Sequence, residues 1–117
     1  IGGVVFRPFH DVDAWDDVLD GAQRTCKALS AHGAEQLVLI DSIAPARAPT
    51  AGRWEAAEQM DQGTWSAFRD RIATIAKLGS EDHGLTVSIH AHAAGFMDFE
   101  PELERLLNEV DERLLKI

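Results

Sequence analysis

The run Leu37-Val38-Leu39-Ile40, closed by Asp41, restricts the fold of this chain more than any other feature. Alternate residues of a strand face opposite ways, so an unbroken apolar run asks for cover on both sides. A parallel sheet covered on both faces, or curved into a barrel, supplies it. The preceding segment fits a βαβ unit. Trp15, Leu19, Ala22, Cys26 and Leu29 recur at helical spacing, and Gly33 reads as the residue just past the helix end. Asp13, Asp16 and Asp17 lie in the first turns and Lys27 and His32 near the end, which suits the helix dipole. Upstream, Val4-Val5-Phe6 is a short β-rich run that Pro8 closes.

Residues 42–63 break this rhythm. Pro45, Pro49, Gly52 and Gly63 punctuate a long connection, with a short helix expected across Trp54 to Met60. Long connections of this kind tend to carry function. Thr64 is expected to cap a second helix whose buried stripe is Trp65, Phe68, Ile72, Ile75 and Leu78, with Gly79 or Gly84 at its exit. Leu85 to Ile89 is the third strand, with Val87 and Ile89 toward the helices and Thr86 and Ser88 on the face of His90. Glu100-Pro101 opens a third helix, with the proline expected at its first position, and Leu114 to Ile117 looks like the start of a fourth strand. The expected order is β-α-β-loop-α-β-α-β.

In parallel α/β folds, ligands sit beyond the carboxyl ends of the strands. His10 follows the first strand there, Asp41 ends the second, and His90 and His92 end the third. Neighbouring strands lie only about 4.8 Å apart, so these groups are expected on one rim. His90 and His92 are two apart and share a face, a pattern that suits a metal or an anionic oxygen and equally a capping or exposed role. Asp41 reads as a proton acceptor, a cation ligand, a group orienting a histidine, or a cap for the following turn. His10 is a substrate-binding candidate that nearby Asp11 and Asp13 could instead engage. Arg53 joins it as a substrate-binding candidate; Arg47 and Arg53 otherwise read as solvated loop arginines, and Arg7 as the partner of a helix carboxylate. Trp54 is expected to anchor the loop, Gly95 to permit a sharp turn, and Phe96 and Phe99 to pack.

The 117 residues suit one domain, and 45% hydrophobic content suffices for a core. Eleven basic against 20 acidic residues give a formal charge of −9, which disfavours a nucleic-acid partner. One cysteine, Cys26, rules out an intrachain disulfide and is expected to be buried; a reducing, cytoplasmic setting follows as an expectation. No segment approaches the roughly 20 apolar residues of a membrane helix, and no signal peptide is read. Phosphate-loop, dinucleotide, Cys-x-x-Cys and serine-elbow motifs do not occur.

The stretch Ser88-Ile89-His90-Ala91-His92-Ala93-Ala94-Gly95, continued by Phe96-Met97-Asp98-Phe99-Glu100-Pro101-Glu102-Leu103 and Leu106-Leu107, resembles the xylose-isomerase-like TIM barrels. These include sugar phosphate isomerases, epimerases and inosose dehydratase-like proteins. The segment is similar to the His-Pro-His-x-Gly stretch and acidic helix after the fifth barrel strand, with Ala91 in place of proline. Gly33 to Ile40 is similar to a fourth strand. The resemblance implies an α/β fold, a partial (β/α)8 barrel of about three and a half consecutive βα units, with residues 1–117 a piece of a larger domain. It implies proton transfer next to a carbonyl of a sugar or polyol, in the site of His90 and His92; with Asp41, placed there by its strand-end position, these are the catalytic candidates. It also implies a divalent metal (Mn, Co, Zn or Mg) in the complete enzyme, with His90 near the first ligand position and the other ligands beyond Ile117. The piece alone is expected to be inactive and to self-associate or pair its open sheet edges. Two other readings stand beside it: an amidohydrolase-like barrel with a His90-Ala91-His92 metal pair, and a non-catalytic self-associating α/β module.

Overall fold

The computed structural model describes residues 2–117. Strands β1 (Gly2–Arg7), β2 (Gln36–Asp41) and β3 (Thr86–Ile89) form a parallel sheet in that order. Helix α1 (Trp15–Ala31) joins the first two, α2 (Gln62–Lys77) leads to the third, and α3 (Glu100–Glu109) follows it. Val4 pairs with Val38, and Val38 with Ser88. A parallel bridge from Ser88 to Lys116 begins a fourth position, with Lys116 N donating to Val87 O at 2.9 Å. The sheet does not close. This is the architecture of a partial (β/α)8 barrel.

One face of the sheet carries the core. Val5, Leu37, Leu39, Val87 and Ile89 are buried there with Val18, Ala22 and Cys26 of α1 and Phe68, Ile72 and Ile75 of α2. Burial pushes the Cys26 thiol up, as expected of a structural cysteine. Gly79 lets the chain close on the sheet: a Cβ there would stand 2.8 Å from Val87 Cγ2. Among the described residues, no helical layer covers the opposite face. Val4 is 52% and Phe6 45% exposed, and Val38 and Ile40 are half-buried. The two-sided apolar pattern of β2 is therefore covered on one side only.

Several local expectations change. Asp61, not Thr64, caps α2, its Oδ1 accepting Thr64 N at 2.7 Å. A carboxylate reaching the third amide satisfies an orphan donor that the Thr64 hydroxyl cannot reach from inside the helix. The helix expected across Trp54 to Met60 shrinks to a 3-10 turn, Trp54–Ala56. The exit of α2 is a π turn, Leu78–Asp82, and Gly84 ends it at φ 63°. Phe99 caps α3, so Pro101 falls one place later than expected, still within the turn that needs no amide donor.

Where α2 meets α3, Trp65 Nε1 donates to Glu109 Oε2 at 2.9 Å, with Arg105 and Arg69 on the same carboxylate. The indole N–H first, then the two guanidinium groups, lower the Glu109 carboxyl from 4.5 to about 2. A carboxyl lowered on folding stabilises above its unfolded value and loses that contribution as pH falls toward its folded one. Acid titration of unfolding should thus show a decline between pH 4.5 and about 2 that Glu109→Gln makes shallower. Identical slopes for both proteins would refute this.

Candidate functional site

The carboxyl ends of β1 and β2 build a His–Asp pair. Asp41 closes β2 on the helix-covered side and is fully buried. His10 arrives by the turn after Pro8, where Phe9 N donates to Arg7 O at 2.9 Å and buried Phe9 anchors the turn. Its Nδ1 lies 2.8 Å from Asp41 Oδ1 and 3.0 Å from Oδ2, and its backbone N donates to Oδ1 at 3.1 Å. The carboxylate accepts a further bond, 2.8 Å, from Phe96 N. An ionised carboxylate only accepts, so Nδ1 is the donor to Asp41, and in the neutral imidazole Nε2 then holds the lone pair. The His10 side chain is 12% exposed.

Arg71 backs this pair from α2. Its Nε donates to Phe9 O at 2.7 Å and its Nη2 contacts His10 O at 3.5 Å. Burial lowers the Arg71 guanidinium, and the charges of Asp41 and Asp11 oppose that. The sequence reading did not include Arg71. Its acceptors are carbonyls 62 and 61 positions away, which no local pattern signals.

His90 and His92 stand apart from Asp41. Leu39 pairs with Ile89, and His90 N donates to Leu39 O at 2.9 Å, so alternation turns His90 to the open face. His90 is exposed there. His92 is half-buried, its ring 5.0 Å from that of Phe6 and its Nδ1 2.9 Å from Ala93 O. The expected common cluster is therefore corrected. The groups share the carboxyl ends of the strands, but Asp41 takes His10 on the helix side while the later imidazoles accompany the open face. The phase of β2 against β3 decides this.

The loop arginines also part ways. Arg53 is exposed and donates to Pro49 O inside its own loop, away from His10. Arg7 is exposed and has no ion pair among the described residues. Arg47, expected in solvent, is 1% exposed and pairs with Glu102. It lies at the start of the 3-10 turn Ala48–Thr50, where the loop folds back beneath Phe96 and Phe99. Trp54 anchors that loop against Phe99, ring centres 5.2 Å apart. A cavity of about 200 Å³ lies between Trp54, Met60, Trp65 and Arg105, and of its lining only Phe96 touches the His–Asp pair. The cavity is distinct from the His10–Asp41 pair.

Gly95 plays a different part from the expected one. The left-handed residue is Ala94, at φ 68°. Gly95 instead allows contact with β2, since a Cβ would lie 2.6 Å from Asp41 O.

The donor set does not by itself fit a divalent cation. Among the described residues no three His, Cys, Asp or Glu side chains converge. Both Asp41 oxygens are already engaged by N–H groups. Nor, among the described residues, is any helix long and apolar enough to cross a membrane.

No protein-family model matches this chain, and no curated protein matches it in sequence. Among solved structures it is similar to the IolI protein, whose crystal structure contains a bound zinc atom. The TM-score is 0.72 at 8% identity. The likeness is one of fold. It takes in 100% of this chain and 39% of the IolI chain.

Proposed function

We propose that residues 1–117 are a single α/β piece of a (β/α)8 barrel enzyme in which His10 moves a proton next to a carbonyl of a sugar or polyol. The reaction class is isomerisation, epimerisation or loss of water. The observation that carries this reading is the Nδ1 contact of His10 with both oxygens of buried Asp41. A buried acceptor that fixes the imidazole tautomer leaves Nε2 free to take a proton from carbon or oxygen. In this reading Asp41 orients His10 rather than meeting substrate. His90 and His92 lie on the open face beside Phe6, the face that a closed barrel turns inward, and have no part in the step assigned to His10. The resemblance of residues 85–107 supports the substrate class, and the likeness to IolI supports the barrel fold. Arg53 keeps a substrate role only by moving out of its loop. His90 serves as a metal ligand only with donors from outside these residues, and no step here runs through a metal. Buried Cys26 supports a cytoplasmic setting.

The test is solvent-deuterium incorporation next to the carbonyl of ketoses and inososes, followed by NMR in the protein that carries these residues. His10→Asn is expected to slow exchange by about 10²–10⁴-fold, the usual worth of a positioned acid–base group. Exchange at the unsubstituted rate would end the reading.

Exposed Val4 and Phe6 favour a second statement about the isolated piece. Residues 1–117 alone should self-associate, covering that face with a second copy. Sedimentation should show mass rising with concentration, and Val4→Lys with Phe6→Glu should return it to a monomer. A monomer at all concentrations would contradict this.

A further inference from the structure

We propose that Arg47 is a positioning residue for the His10–Asp41 pair, acting through the turn that carries Gly95 and Phe96. Its consequence for catalysis rests on the proton-transfer reading above; its consequence for geometry does not.

The buried guanidinium reaches three separate segments. Nε donates to Glu58 O at 2.6 Å, Nη1 to Gly95 O at 3.3 Å, and Nη2 to Glu102 Oε1. Its Cζ lies 4.4 Å from the centre of the Phe96 ring and 5.5 Å from that of Phe99. Glu102 extends the hold: its Oε2 accepts Asp98 N and Phe99 N, each at 3.1 Å. One cation thus ties the 42–63 loop to both ends of the turn from Gly95 to Phe99.

The same turn touches Asp41. Phe96 N donates to Asp41 Oδ2, and the bare Cα of Gly95 packs on the Asp41 carbonyl. The Phe96 ring also leans on His10, centroids 5.5 Å apart. Because Phe96 N and His10 Nδ1 share Oδ2, at 2.8 and 3.0 Å, the placement of the turn governs how the carboxylate meets the imidazole. Arg47 sets that placement through Gly95 and the face of Phe96.

Stability alone does not call for a buried arginine, since well-packed apolar replacements of buried ion pairs often fold as well or better. A rigid fork serving three acceptors in different directions is what the position uses, and lysine has no such fork.

The experiment compares Arg47→Met with Glu102→Leu (a double variant) and Arg47→Lys, each ¹⁵N-labelled in the protein that carries these residues. Long-range ¹⁵N–¹H spectra read the His10 tautomer, and hydrogen exchange reads the Phe96 amide. Both variants are expected to lose the predominance of the Nδ1–H form and to exchange the Phe96 amide about tenfold faster or more, as for weakening a bond to a charged acceptor. A folded double variant with unchanged His10 signals and exchange overturns the proposal. So does full restoration by lysine, which would assign the effect to charge alone. If the double variant fails to fold, Arg47→Lys decides by the same two signals. The two ideas fail separately: unchanged His10 signals beside an inactive His10→Asn reject only Arg47's role, whereas an active His10→Asn rejects only the catalytic reading.

Discussion

Glu102→Ala should destabilise the fold by about 3–5 kcal/mol, and Arg47→Met with Glu102→Leu, which loses the same amide acceptor but strands no charge, should cost clearly less. The single change removes the only carboxylate paired with Arg47 among the described residues and strands a charge that is 1% exposed. It also takes the acceptor from Asp98 N and Phe99 N, so the start of α3 frays. The double change removes the charges together and leaves apolar groups against Phe96 and Phe99. Domains of this size are stable by only about 5–15 kcal/mol, so the single variant should lose a large share of that. Urea unfolding measures both, with an unchanged m-value as the sign that the folded state is intact. A single variant as stable as the parent would mean that the ion pair is relaxed by water and does not hold the loop.

Two neighbours in the next turn should respond with opposite sign. Gly95→Ala places a methyl 2.6 Å from the Asp41 carbonyl oxygen, a main-chain atom of β2 that cannot step aside. Overpacking of that kind costs about 1–3 kcal/mol or more. Ala94→Gly relieves a left-handed alanine at φ 68°, worth about 1–2 kcal/mol, against about 0.5–1 kcal/mol for the freer unfolded chain. Thermal unfolding should therefore fall clearly for Gly95→Ala and hold or rise slightly for Ala94→Gly. A stable Gly95→Ala would show that the turn is not seated on Asp41. Because Phe96 N lies next in the chain and holds Asp41 Oδ2, the destabilised variant should also disturb the His10 ring signals.

These responses divide between what the chain spells out and what packing adds. The helical stripes of α1 and α2, the apolar run of β2 and the alternation of β3 carry their periodicity in their own residues, and burial follows it. Parallel strand order was equally legible, because helices between short apolar runs leave few other connections. The rim position of His10, Asp41, His90 and His92 was readable for the same reason: each follows the end of a strand. Which of them meet was not. That depends on the register of one strand against the next, and a shift of one residue exchanges the two faces.

Strand parity already turned His90 away from Val87 and Ile89, and the pairing of Leu39 with Ile89 then put Asp41 under the helices and His90 on the open side. Long-range acceptors are illegible in the same way. Arg47 looked like a solvated loop residue because its partners, Glu58, Gly95 and Glu102, become neighbours only when the loop folds over the third βα unit. Local periodicity thus determined the elements and their order. Tertiary packing alone decided the His10–Asp41 pair and the buried arginine behind it, since a side-chain hydrogen bond depends on distances that chain position does not encode.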